Sequence, residues 1–94
     1  MAVYVDDADI PFGRMIMCHM IADTRKELDE MAIKIGVAIK WRQKSGTYKE
    51  HFDVCKSAKE KALESGAIEI DGYELSRKMI SRNMDEYLGL ITGG

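Results

Sequence analysis

The chain is short of the residues that staple or interrupt a fold, having one proline and two cysteines in 94 residues. Cys18 and Cys55 follow no metal-binding or redox spacing, which excludes a disulfide framework and a cysteine-built zinc site. The longest apolar stretch, residues 14–24, is too short to cross a bilayer and carries Arg14, His19 and Asp23. The first residues lack the basic-then-apolar layout of a signal peptide. A formal net charge of −2 leaves no basic field for an extended nucleic acid. Glycine-rich phosphate loops, G-x-S-x-G elbows and H-E-x-x-H helices are also missing. These absences predict a cytoplasmic protein with neither a membrane nor an extended nucleic acid as partner.

What remains is an ordinary globular composition, 46% hydrophobic and 32% charged, sized for a single domain over residues 1–94. Seven methionines are many for this length, and methionine fills irregular cores and adaptable contact surfaces. They favour a homo-oligomer or a moulded ligand site.

Residues 14–24 organise the rest. As a strand they send Met15, Met17, His19 and Ile21 to one face and Ile16, Cys18, Met20 and Ala22 to the other. Both faces are apolar, as in a strand covered on two sides. Residues 2–5 read as a first strand ending in the acidic loop Asp6, Asp7, Asp9, with Pro11 and Gly13 punctuating the approach to the central strand. Thr24 and Glu27 form a capping box, and Leu28, Met31, Ala32 and Ile35 make a buried helical stripe that stops at Gly36.

Residues 37–43 resemble a second or edge strand, and residues 44–50 a polar loop. Residues 51–54 form a short extended segment. Ser57 with Glu60 predicts the next helix, residues 67–70 a strand, and Asp71 with Glu74 a last helix. That helix is expected to align Tyr73, Ile80, Met84, Tyr87 and Ile91, with Leu75 and Met79 beside them, and to run into a frayed Gly93–Gly94 tail. Its apolar length suggests burial against a second copy. The alternation predicts an α/β (α+β) domain, a small mixed sheet of about four to five short strands flanked by three helices.

The polar candidates are Asp6, Arg14, His19, Asp23, Trp41, His51, Asp53 and Lys56. His51 and Asp53 share a face about 7 Å apart along an extended chain, and His19 could join them across the sheet. His19 and Asp23 also share a face but lie roughly 13 Å apart, so Asp23 joins only if the chain bends after Ile21. Two histidines and a carboxylate (His19, His51, Asp53) could bind a transition metal, or act as a base with its orienting carboxylate. The bland alternatives are a core histidine, and a loop whose Phe52 plugs the core while its neighbours face water. Trp41 beside Arg42, Gln43 and Lys44 suits stacking of a nucleobase and holding of a phosphate, or simply closes the edge of the core. Cys18 is too buried in an apolar strand for covalent catalysis.

The ordered set Val3 to Asp7, Gly13-Arg14, His19-Met20 with Ala22-Asp23, Glu27-Leu28, His51-Phe52-Asp53, residues 66–70 and Glu74-Leu75 resembles a short bacterial and phage family classed as a domain of unknown function. The likeness spans nearly the whole chain and departs at Asp29, where that pattern often carries histidine. It implies that Asp6, His19, Asp23, His51 and Asp53 form one site, and it brings no activity.

Three functions are expected on these grounds. The first is a small-ligand-binding protein that captures a nucleotide-like or phosphorylated molecule, with a phage protein sequestering a host signalling nucleotide as one form. The second is a metal-dependent hydrolase or nuclease built on the His/Asp site. The third is a structural or regulatory interaction protein. The residues do not identify a cofactor.

Overall fold

The computed structural model describes residues 2–91; the expected Gly93–Gly94 tail lies outside them. Residues 14–24 supply the centre of an α+β fold. Strand β3 (Met15–Ala22) pairs antiparallel with β1 (Val3–Val5), β2 (Ile10–Phe12) and β4 (Phe52–Cys55). Met20 meets both Val5 and Phe52, and Met17 meets both Ile10 and Cys55. A strand has only two edges, so β1 and β2 lie end to end along one edge of β3 while β4 takes the other. Strand β5 (Ile68–Glu69) adds parallel to β1 and makes the five-stranded sheet mixed.

Period-two alternation decides what each face buries. Cys18, Met20 and Ala22 join Val3, Val5, Phe52 and Val54 beneath helices α1 (Arg25–Ile35) and α2 (Lys56–Glu64). Met20, Leu28 and Phe52 are fully buried there. Truncating any of them to alanine would cost about 2–5 kcal/mol, so this face holds the fold together. On the opposite face, Ile21 and Tyr4 pack with Ile70, Leu75 and Met79, the last two from helix α3 (Gly72–Ile80). This second cluster is small. It covers one end of the sheet and leaves the stretch around His19 half open.

Helix α1 follows its sequence signals closely. Thr24 is the N-cap and accepts the Glu27 amide at 3.2 Å, and its hydroxyl donates to the Glu27 carboxylate at 2.8 Å. Gly36 ends the helix at φ 85°, a left-handed turn that an L side chain would strain.

Elsewhere the structure departs from the expectation. Residues 10–12 form β2, and Gly13 at φ 62° begins a two-residue turn into β3. Proline is tolerated here because β2 is an edge strand. Residues 37–43 are not a strand: Ile39–Trp41 form a 3-10 turn, and only Gln43 makes a bridge, to His51. The N-cap of α2 is Cys55, so Ser57 with Glu60 forms no capping box. The Ser57 hydroxyl lies 3.2 Å from Cys55 Sγ instead.

The last segment also breaks. After α3 the chain turns at Arg82, and Asn83 caps a separate short helix, α4 (Met84–Tyr87). Leu75, Met79 and Tyr87 face inward, whereas Tyr73, Ile80 and Ile91 of the expected stripe are exposed. No helix of the described residues is long and apolar enough to cross a membrane.

Candidate functional site

Strand register builds a row of polar side chains across the half-open face. Asp6 follows β1, and its N–H donates to the His19 carbonyl at 3.0 Å, which places it beside His19 on one edge of β3. On the other edge Asp53 of β4 pairs directly with His19. Opposed residues of paired strands share a face. His51 lies two residues before Asp53 and therefore projects to that face as well.

Each histidine is fixed through Nδ1. The Asp6 carboxylate accepts from the His19 ring at 2.7 Å and from the His19 backbone N–H at 2.8 Å. The His51 ring donates to the Lys49 carbonyl at 2.7 Å. A carbonyl oxygen cannot donate, so His51 carries its proton on Nδ1. Burial alone would push the Asp6 carboxyl up, but the hydrogen bonds and charge of His19 outweigh it and hold the carboxyl below its ordinary value. Asp6 is thus an acceptor too, and the His19 proton also sits on Nδ1. The Asp6 hydrogen bond raises the affinity of His19 for a second proton, burial opposes this, and the charges of Asp6 and Asp53 reinforce it.

With both Nδ1 atoms committed, both Nε2 lone pairs turn toward Asp53. Asp53 Oδ1 lies 3.2 Å from His51 Nε2 and 3.9 Å from His19 Nε2. The rings meet edge to face, with centroids 5.2 Å apart. One ligating atom from each of the three residues falls within 4.8 Å of the others. Three electron-pair donors that converge this closely are relieved by a hydrogen-bond donor or a cation between them: a water molecule, an added proton or a metal ion. The pinning of Nδ1 by a carboxylate or carbonyl is the way proteins orient metal-binding imidazoles. The side chains of His19, His51 and Asp53 are 28%, 13% and 41% exposed, which leaves room for a further group at a bound ion.

The other candidates lie elsewhere. Strand β3 runs straight on to Ala22, and Asp23 accepts from the Ala2 N–H at 2.7 Å and the Tyr4 hydroxyl at 3.3 Å. The bend that would bring Asp23 to the histidines is absent. Arg14 sits in the hairpin turn, and Lys56 is exposed at the start of α2. Trp41 is 60% exposed, with the Lys40 ammonium 5.2 Å from its ring centre. Cys18 is buried, and burial pushes its thiol up. Cys55 shares the face of Asp53, and the Ser57 hydroxyl together with backbone N–H groups at the start of α2 lowers its thiol.

One residue behind the site was not visible in the sequence. Glu50, next to His51, is fully buried. Its carboxylate accepts from Arg25, from Tyr87, from Arg42 at 3.3 Å and from the Gly46 N–H at 2.9 Å. Arg42 also contacts Asp29 at 2.7 Å, an ion pair whose angle misses hydrogen-bond alignment. Arg82 donates to the carbonyls of Tyr48 and Glu50, both at 3.0 Å. Burial works against the Glu50 charge, but Arg25, Tyr87 and the Gly46 N–H outweigh it and hold the carboxyl at about 2. Glu50 stood in a polar, turn-forming stretch, where nothing marks one charge as buried.

No curated protein and no solved structure matches the chain. The family model for DUF4031, described as a protein of unknown function, matches residues 3–82 and so spans Asp6, His19, His51 and Asp53. The chain belongs to this family, DUF4031.

Proposed function

We propose that this protein is a metal-dependent hydrolase in which His19 Nε2, His51 Nε2 and Asp53 hold one divalent transition-metal ion. The observation that carries the reading is the convergence of three electron-pair donors within 4.8 Å, with both imidazoles already locked into the ligating tautomer. Three protein ligands with an open position are the pattern of catalytic sites, whereas structural zinc sites close all four. At the open position the ion would acidify a water molecule and polarise the bond under attack.

A nucleotide-like phosphoester is the substrate class that fits the surroundings. Gln43 bridges to His51, and two residues earlier Trp41 offers an exposed ring with Lys40 beside it, suited to stacking a base. Arg42 is spent on Glu50 and Asp29 and takes no part.

Elemental analysis of the freshly purified chain should find close to one equivalent of zinc, manganese or iron. Stripping the metal should abolish cleavage of bis(p-nitrophenyl) phosphate, and adding it back should restore cleavage. Asp53→Asn should lose both metal and activity. A metal-free, folded protein that takes up none of these ions in calorimetry would sink the reading.

A further inference from the structure

Past the histidine row, toward the hairpin turn, the half-open face is apolar. Strand pairing sets Ile10 opposite Met17 and Phe12 opposite Met15, and alternation puts all of them on the side of β3 that carries His19. Phe12 is 69% exposed, and Ile10 and Met15 are each 47% exposed. Helices α1 and α2 pack on the other side of the sheet, and α3 covers this side only at Ile21. The hairpin thus leaves roughly a few hundred Å² of contiguous apolar surface in water, a size that marks an interaction site on a small protein. Exposures this high describe an open surface and not a pocket, which suits a macromolecule better than a small ligand.

The charges around this surface make it complementary to itself. Arg14 stands in the turn and Asp7 in the loop at the hairpin's base. Both are exposed, and among the described residues neither has an ion-pair partner. Asp6 lies beside His19 and Ile10 pairs with Met17, so the loop between them sits level with Cys18. Arg14 comes two residues before Ile16, and Cys18 two residues after it. The two charges therefore lie about 7 Å from the level of Ile16, on opposite sides of it.

Consider two copies packed face to face about a two-fold axis at that level, running across the strands. The axis reverses strand direction, lays one apolar surface on the other, and brings each Arg14 over the Asp7 loop of the opposite copy. Pairing of the β2 edges side by side is disfavoured, because Pro11 in the middle of that edge has no N–H to give.

We propose that this hairpin face is the contact between two copies of the chain, with Ile10, Phe12, Met15 and Met17 at its centre and Arg14–Asp7 ion pairs at its two ends. A contact of this area is at the small end for specific interfaces, so the dimer is reversible and forms with rising concentration. The histidine row falls at the rim, and the contact does not depend on a bound metal.

Sedimentation equilibrium of the full chain is the test. The parent should pass from monomer to dimer as its concentration rises toward about 1 mM. Phe12→Lys should stay monomeric and keep the parent's circular dichroism, since that side chain is exposed in the single chain. Ile80→Lys, at an exposed apolar position of α3, should dimerise as the parent does. Arg14→Asp and Asp7→Arg should each weaken association about tenfold, and combining them in one chain should restore most of it. The proposal is overturned if the parent stays monomeric throughout, if folded Phe12→Lys dimerises unchanged, or if Ile80→Lys abolishes the dimer. A double charge swap that associates no more tightly than the single ones overturns it as well.

Discussion

Two aspartates flank His19, and burial divides their roles. Asp6 is 1% exposed and gives both oxygens to His19, one to the ring and one to the backbone. Asp53 is 41% exposed and turns an oxygen toward both Nε2 atoms. Asp6 is a positioning residue, and Asp53 the one that would touch the ion. Replacing Asp6 with asparagine keeps its shape but weakens its hold on the Nδ1 proton. Zinc affinity should then fall about 10–100-fold, the range found when partners behind metal-bound histidines are removed. Calorimetry on the folded Asp6→Asn variant checks this, and undiminished affinity would mean that Asp6 only braces β1 against β3. The sequence could show His51 and Asp53 on one face because that needs only alternation. Joining them to Asp6 and His19 needed the pairing of three strands, and the Lys49 carbonyl that orients His51 is main chain, which no residue type reveals.

Among the elements, those with local determinants were legible. Helix α1 has its start and stop written into Thr24, Glu27 and Gly36, and the structure follows them. Residues 37–43 misled because Val37, Ile39 and Trp41 alternate as strand residues do, while no neighbouring strand pairs with them over their length. Asn83 looked like an interior residue of a long helix, yet its side chain caps the next one, the role in which asparagine is most favourable. The loop before β4 is the element least predictable from its letters, since its order comes from distant partners: Arg25 in α1, and Tyr87 and Arg82 near the chain's end. That arrangement carries a pH signature. The Glu50 carboxyl is held at about 2, below its ordinary 4.5, so its contribution is fully present above the unfolded value and is lost as pH falls from about 5 toward 2. A shift of that size corresponds to about 3 kcal/mol, and Glu50 is not solvent-screened. Urea unfolding of the metal-free chain should therefore show stability dropping across that window, with Asp6 adding in the same direction. Glu50→Gln should flatten the drop, and an identical pH profile in a folded variant would remove Glu50 as its source.

At the scale of the molecule, the sheet's two faces do different work. One is sealed by α1 and α2 around fully buried Met20, Leu28 and Phe52. The other is covered only where α3 reaches Ile21, and the remainder bears the histidines. Opening that face removes apolar burial a small domain can ill spare, and a bound ion would offset the loss. It would tie β3 to both β4 and the loop held by Glu50, segments that the unfolded chain does not hold together. A ligand that binds only the folded state stabilises it by about 2.7 kcal/mol at a free concentration one hundred times its Kd. For a domain of this size that corresponds to a rise in Tm of about 10–20 °C. Thermal unfolding with buffered free zinc should show this rise, reverse it on adding a chelator, and show none of it for His51→Ala, whose side chain is only 13% exposed but whose Nε2 bonds nothing in the core. Calcium, which prefers six to eight oxygen ligands, should leave the parent Tm where it was. If zinc moves the parent and the His51 variant equally, the ion is binding elsewhere, and the half-open face must be explained without it.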